Sequence, residues 1–117
     1  MQVNNPIEPN SSDIKSLVVG RLSLNRGSRV VSVDDREVML TAGEYEVLVY
    51  LAVRAGQVVS RDELFQKVLG MEYNGLDRTV DLRVSRLRRK LGDPVENPRL
   101  IKSIRSEGYF LAPDTRE

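Results

Sequence analysis

The stretch RTVDLRVSRLRRKL, residues 78 to 91, combines a helical apolar stripe with an unusual density of positive charge. At about 100° per residue, four aliphatic side chains fall on one side of a helix; they are Val80, Val84, Leu87 and Leu91. Gly92-Asp93-Pro94 then ends the helix. Six of the chain's 18 Lys and Arg residues, and one acid, lie in this stretch. It therefore predicts a helix that is anchored in a core and presents basic side chains outward.

The face of this helix opposite to the stripe is basic. It carries Arg78, Leu82, Ser85, Arg86 and Arg89, with Thr79, Arg83 and Lys90 along one flank. Residues 78 to 105 hold nine Lys or Arg and three Asp or Glu, so in a chain of net charge +1 the rest sums to −5. A basic patch on a slightly acidic body is typical of a protein that binds a polyanion in one orientation. On charge alone, a solvated helix face is an equally good interpretation.

The composition excludes several classes of protein. A chain of 117 residues predicts one domain. It has no Cys and no His, and therefore no disulfide, no zinc–thiolate site and no ordinary proton shuttle. Because it also lacks a Gly-rich phosphate loop and a nucleophile elbow, we expect neither an enzyme nor a cofactor or metal. Without a signal peptide or a membrane-spanning stretch, we expect a cytoplasmic protein.

The N-terminal part of the chain changes character near residue 17. Residues 1–16 are rich in Pro, Asn and Ser and are expected to be a flexible linker or tail, and residues 114–117 a C-terminal tail. Residues 17–113 are then the folded domain. Between 17 and 40, short Val- and Leu-rich segments are separated by turn residues such as Asp34-Asp35. This pattern predicts three or four short antiparallel strands.

Two helices are predicted next, each opened by a capping box in which Ser or Thr precedes Glu by three residues. The two boxes are Thr41 with Glu44 and Ser60 with Glu63. Gly56 and Gly70 stand where these helices should end. The connector between them is so short that they must fold back on each other.

The last part of the fold is predicted to be a β-hairpin. Its apolar runs are Leu100 to Ile104 and Tyr109 to Leu111, and RSEG between them ends in a glycine suited to positive φ. Arg105 lies at its tip. The order of strands, two helices, basic helix and hairpin predicts an α+β fold.

A helix with a basic outer face fits the major groove of DNA, which is about 12 Å wide. Arg86 and Arg89 would either donate two hydrogen bonds to guanine or contact phosphates. Leu82, in the middle of the basic face, suits a thymine methyl group, although an isolated exposed leucine needs no special cause.

Three charged residues beside this face leave alternatives open. Asp81 would accept from a cytosine amino group or form an ion pair with Arg78, and we favour the ion pair. Arg88 lies toward the core and would clamp a phosphate or bind within the protein. Arg105 would enter a minor groove or remain an exposed turn residue.

Three segments of the chain together resemble a known family. They are LTAGEYEVLVYLAVRAGQVVSRDEL (40–64), DRTVDLRVSRLRRKLGD (77–93) and IKSIRSEGYFL (101–111). In order and spacing they are similar to the C-terminal DNA-binding (effector) domain of OmpR/PhoB-type response regulators, with the RstA/CpxR-like branch most similar. The resemblance implies a winged helix-turn-helix: an N-terminal four-stranded antiparallel sheet, three helices and a C-terminal hairpin, the wing.

The resemblance also implies roles for individual residues. The base-facing residues in the major groove would be Thr79, Leu82 and Arg86. The DNA backbone or mixed contacts would be Arg78, Arg83, Ser85, Arg88 and Arg89. Arg105 would be the minor-groove residue of the wing. The loop at 69–76 would contact RNA polymerase, with Glu72 and Tyr73 as candidates.

Two positions depart from the family pattern. Ser85 stands where some relatives have a basic residue, which would remove one contact and alter sequence preference. Glu107 at the wing tip would weaken DNA binding unless it points away from phosphates or pairs with Arg105.

The partners implied by the resemblance are double-stranded DNA with tandem direct-repeat half-sites, RNA polymerase, and a receiver domain with its sensor kinase. The isolated domain is expected to be a monomer that forms a head-to-tail dimer on DNA, without contact to a membrane. The alternative is a winged-helix protein-interaction module that binds an acidic partner, such as an RNA polymerase subunit.

Overall fold

The structure, a computed structural model, describes residues 15–94 and 96–113. An antiparallel sheet of order β1-β2-β3-β4 comes first, three helices follow, and the pair β5-β6 ends the domain. The strands are β1 (Ser16–Val19), β2 (Leu22–Asn25), β3 (Val30–Val33), β4 (Arg36–Val38), β5 (Ile101–Ile104) and β6 (Gly108–Leu111). The helices are α1 (Ala42–Val53), α2 (Arg61–Leu64, continued by a π-helical turn, Phe65–Leu69) and α3 (Thr79–Leu91). The predicted α+β fold class is confirmed.

The predicted division into linker, folded domain and tail stays a prediction. β1 begins at Ser16, one residue before the expected start of the folded part. Residues 1–14 of the predicted linker and the predicted tail, 114–117, lie outside the described residues. Within the described part, no helix is long and apolar enough to cross a bilayer.

The N-terminal sheet buries alternate side chains of its middle strands. Leu24 of β2 pairs with Val31 of β3, and both are buried, whereas Ser23 and Asn25 are exposed. Asp34 and Asp35 form the two-residue turn between β3 and β4, with φ of 51° and 67°. Both values fit the type of turn that matches the twist of a hairpin, and Asp tolerates them better than most residues.

Only the first of the two predicted capping boxes is complete. At α1, Thr41 Oγ1 accepts from the Glu44 amide at 3.2 Å and Glu44 Oε1 accepts from the Thr41 amide at 3.0 Å. At α2, Ser60 Oγ accepts from the Glu63 amide at 3.0 Å, but the Glu63 carboxylate accepts from the Tyr50 hydroxyl instead of returning to Ser60. The prediction of a second full box was wrong, because a partner on α1 competes for Glu63.

The apolar stripe of α3 packs against α1, and its four predicted members are each at most 1% exposed. The same contact buries Glu44, whose Oε1 accepts from Lys90 Nζ at 2.7 Å. Burial opposes ionisation of Glu44, but the hydrogen bonds from Lys90 and Thr41 outweigh it, and the pKa of Glu44 lies below its ordinary value. Lys90 therefore ties α3 to α1 and does not belong to the outward basic set.

The wing is fixed to the helices at both of its strands. Buried Asp93, just after α3, accepts from the amides of Arg99, Leu100 and Ile101 at 2.7, 2.9 and 2.9 Å. On β6, the Tyr109 amide and carbonyl exchange hydrogen bonds with Val59, in the connector between α1 and α2. Gly108 has φ +150°, and a Cβ there would lie 2.0 Å from the Val59 carbonyl oxygen. The close approach of this connector to the wing therefore requires glycine at 108.

We expect Gly108→Ala to lower the free energy of unfolding by about 3 kcal/mol or more, because the connector must move and break its hydrogen bonds to β6. Thermal or urea unfolding followed by circular dichroism measures the loss. Gly75→Ala is the matched control, since Gly75 also has positive φ (+85°) but nothing lies within 4 Å of its added Cβ. That control should cost about 1 kcal/mol. Equal losses of unfolding free energy in Gly108→Ala and Gly75→Ala would contradict the importance of the contact between Gly108 and Val59.

Candidate nucleic-acid interface

The outward face of α3 is open and unpaired at its centre. Leu82 is 49% exposed, and Ser85, Arg86 and Arg89 are also exposed. Neither Arg86 nor Arg89 forms an ion pair or side-chain hydrogen bond with any residue of the described ranges. Because the apolar stripe lies on the other side of α3, these two guanidinium groups are held out from the body of the domain.

The first turn of α3 is organised by Asp77. Its Oδ1 accepts from the Thr79 amide at 2.8 Å and from the Thr79 hydroxyl at 2.6 Å. The hydroxyl proton of Thr79 is therefore committed within the protein, which leaves its methyl group and oxygen lone pairs for an external contact. Arg78 precedes the helix as its N-cap residue, and its side chain is 75% exposed.

Asp81 joins α3 to both α2 and the wing. Its Oδ1 accepts from Arg61 Nε at 2.8 Å and from the Tyr109 hydroxyl, and its Oδ2 accepts from Arg78 Nε at 3.1 Å. The favoured ion pair with Arg78 is confirmed. Arg61 and Tyr109 are partners that sequence reasoning missed, since they lie 20 and 28 residues away and no local pattern links them.

The ionisation of this cluster follows from its contacts. Burial alone would raise the pKa of Asp81, but the hydrogen bonds from Tyr109 and Arg61 outweigh it and lower that pKa. Burial, and then the hydrogen bond to Asp81, raise the pKa of Tyr109 to about 12. The carboxylate of Asp81 is thus held ionised between its donors.

Arg88 and Arg83 both contact other elements of the domain. Arg88 Nε and Nη2 donate to the Ile101 carbonyl at 3.0 and 2.8 Å, and Nη2 also donates to Ser103 Oγ at 2.8 Å. Of the two roles considered for Arg88, the partner within the protein is present. A Cβ added to Gly43 would be 2.8 Å from Arg83 Cζ. This distance places the Arg83 guanidinium over the first turn of α1.

The wing tip consists of Arg105, Ser106 and Glu107, all exposed. Two residues here have positive φ: Ser106, with φ 67°, and Gly108, with φ 150°, so the positive φ predicted for the glycine is confirmed. Gly108 is the first residue of β6 and lies against Val59. Arg105 and Glu107 form no ion pair with each other.

The loop between α2 and α3 exposes one of its two predicted contact residues fully and the other in part. Glu72 is exposed, but the Tyr73 ring stacks on Phe65 with 4.7 Å between centroids, so one ring face is used inside the domain. Met71 and Leu76 are 51% and 81% exposed. Sequence reasoning missed these two apolar side chains, which the polar character of the loop obscured.

Comparisons with known proteins agree with this geometry. The family described as "Transcriptional regulatory protein, C terminal" matches residues 35–111. RstA of Escherichia coli K12 is 40% identical over 110 residues, covering 94% of this chain and 46% of that protein. CpxR of the same strain is 39% identical over 102 residues, covering 87% of this chain and 44% of that protein. The chain therefore spans about half the length of these curated relatives.

Solved structures give the same result at the level of the domain. The Klebsiella pneumoniae RstA DNA-binding domain, solved in complex with the RstA box, is 38% identical, with a TM-score of 0.82, covering 86% of this chain and 99% of that one. The E. coli CpxR DNA-binding domain is 38% identical, with a TM-score of 0.75, covering 86% and 97%. This chain thus belongs to the family of C-terminal winged-helix DNA-binding domains of OmpR/PhoB-type transcriptional response regulators.

Proposed function

We propose that this chain binds double-stranded DNA sequence-specifically, as the effector domain of a two-component transcriptional regulator, with α3 in the major groove and the wing toward the minor groove. The observation that carries the proposal is the pair of unpaired, outward guanidinium groups, Arg86 and Arg89, on a helix whose opposite side is fully buried. A helix presented in this way fits the groove, and the wing lies beside it.

Base contacts are assigned to the centre of the exposed face. Arg86 is free to donate two hydrogen bonds to guanine O6 and N7, the commonest specific contact in the major groove. Leu82 and the Thr79 methyl group supply apolar surface for thymine methyl groups. Because the Thr79 hydroxyl already donates to Asp77, Thr79 contributes to recognition through its methyl group or as an acceptor.

Backbone contacts are assigned to the residues around this centre, namely Arg78, Arg83, Ser85, Arg88 and Arg89. Arg83 has a specific supporting feature: its guanidinium lies beside the positive end of the α1 dipole. Two positive groups side by side are unfavourable alone, and a phosphate between them would relieve the repulsion. Arg88 retains only Nη1 for this purpose, since Nε and Nη2 bind β5. Arg105 is assigned to the minor groove, where Glu107 beside it should lower affinity.

The wider setting of the domain follows from the family. We infer tandem direct-repeat half-sites bound by a head-to-tail dimer, an isolated domain that is monomeric, and a receiver domain controlled by a sensor kinase in the cytoplasm. For RNA polymerase, we assign the contact to Glu72 with Met71 and Leu76, and give Tyr73 the smaller part because its ring packs on Phe65.

Arg86→Ala should weaken binding to the specific site by about 1–3 kcal/mol and relax preference at one base pair, because it removes a two-bond contact to a base. Fluorescence anisotropy on a tandem-repeat duplex selected from random DNA, and on its single-base variants, measures both effects. Arg36→Ala removes an exposed arginine of β4 and serves as the control. Equal losses on specific and random duplexes would count against base reading by Arg86.

Gly43→Ala should weaken binding to all sequences alike, since its Cβ displaces the Arg83 guanidinium, and should reduce the slope of affinity against salt by about one charge. Arg83→Ala should do the same. Gly43→Ala should not lower stability, because Ala is favoured over Gly within a helix by about 0.5–1 kcal/mol. Unchanged DNA affinity in both variants would show that Arg83 does not contact DNA.

Asp81→Asn should lower stability by about 1.5–3 kcal/mol, the range for hydrogen bonds to charged groups, and should weaken specific and random DNA alike. The reason is that Asp81 positions the wing and α2 against α3. Tyr109→Phe deletes the hydroxyl that donates to Asp81 and accepts from Arg61, but it keeps the ring and both ion pairs of Asp81, so it should give a smaller loss. A change of preference at a single base pair in Asp81→Asn, with stability unchanged, would instead make Asp81 a base reader.

A further inference from the structure

We propose that the cleft between the β2–β3 turn, the outer face of α1 and the end of α2 binds a small multivalent anion, either a phosphate ester or a polycarboxylate. The cleft is open to solvent and has a volume of about 420 Å³, which is within the range of small-molecule sites. None of the residues assigned to DNA above lines this cleft, and the inference does not depend on that assignment.

The charge of the lining selects for anions. Four of its side chains are cationic: Arg26, Arg29, Arg54 and Lys67. The lining contains one carboxylate, Glu46, and Glu63 beside it has its Oε2 3.9 Å from Arg54 Nε. In a chain of net charge +1, so strong a local excess of positive charge concentrates anions at this place.

Arg26 supplies a donor that lacks an acceptor. Its Nη1 is buried and forms no hydrogen bond with any residue in the described part of the chain. A buried donor without a partner is unfavourable, so a ligand that supplies an acceptor at this atom would gain a hydrogen bond. The Arg26 amide donates to the Lys15 carbonyl at 2.6 Å, which holds the turn in place.

Two further arginines are held in fixed positions on the tyrosines of α1. Arg29 has φ 62°, an unfavourable conformation for a long side chain, and its Cζ lies 4.4 Å from the centre of the Tyr45 ring. Arg54 Cζ lies 3.6 Å from the centre of the Tyr50 ring, and its Nη1 donates to the Tyr50 carbonyl. Stacking on a ring leaves the edge of the Arg29 guanidinium available, whereas Arg54 Nε already pairs with Glu63. The prior ordering of both side chains lowers the entropic cost of binding an anion.

The cleft lies on the side of α1 away from α3. Glu44 of α1 bonds Lys90 of α3, whereas Val49 and Val53 in the cleft lie roughly 140° and 180° around the helix from Glu44. An anion in the cleft and DNA on α3 should therefore bind at the same time.

The test is an NMR titration of the ¹⁵N-labelled domain with pyrophosphate and with citrate, at constant ionic strength set by chloride. We expect saturable shifts of the amides of residues 26–29 and 45–54, with the tighter ligand identifying the phosphate or the carboxylate class. Arg26→Gln should weaken binding about tenfold or more, and Arg36→Gln, which removes equal charge outside the cleft, should have little effect.

Three outcomes would overturn the proposal. They are shifts centred on α3 and the wing, equal weakening by Arg26→Gln and Arg36→Gln, and displacement of the anion by a DNA duplex. If Arg26→Gln disturbs the β2–β3 turn, Lys67→Gln tests the same cleft, because Lys67 is exposed at the end of α2 and is not part of that turn.

Discussion

Burial of one side of α3 is the constraint on which the rest of the domain depends. Full burial of an aliphatic side chain is favoured by about 1.5–3 kcal/mol, so the four members of the stripe together contribute an amount comparable with the whole stability of a small domain. Rotation of α3 by a single residue would expose part of this stripe and bury arginines. The direction in which Arg86 and Arg89 project is therefore set by the core and needs no contact of their own.

A second set of contacts, made by polar side chains, holds α3 in a fixed position relative to α2 and the wing. Asp81 ties α3 to α2 and to Tyr109 of the wing, Arg88 ties it to the β5 backbone, and Asp93 fixes the chain that leads from α3 into β5. All three are polar side chains with charged or backbone partners. Polar contacts of this kind have stricter geometry than apolar packing, which suits a role in holding the helix and the wing at a fixed separation.

Local signals in the sequence were sufficient to predict the helices and strands and to identify the outward face of α3. The Thr41 cap, the apolar stripe and the Gly92 stop each depend on residues within one or two helical turns, and each is present. The sequence failed where the partner is distant: Glu63 turns to Tyr50, and no local pattern linked Arg61 and Tyr109 to Asp81. The cleft at Arg26 was also invisible, since its lining comes from three separate segments.

Some positions of α3 hold the domain together and others only face outward, and this difference affects how such a domain can evolve. The outward positions, at 82, 85, 86 and 89, bear no structural contact of the kind made by Asp81 or Arg88. On the assignment proposed above, Leu82 and Arg86 read bases and Ser85 and Arg89 contact the backbone, so single replacements at these positions alter DNA contacts while the scaffold keeps its shape. A domain of this design can therefore acquire a new sequence preference in small steps that carry little risk of unfolding.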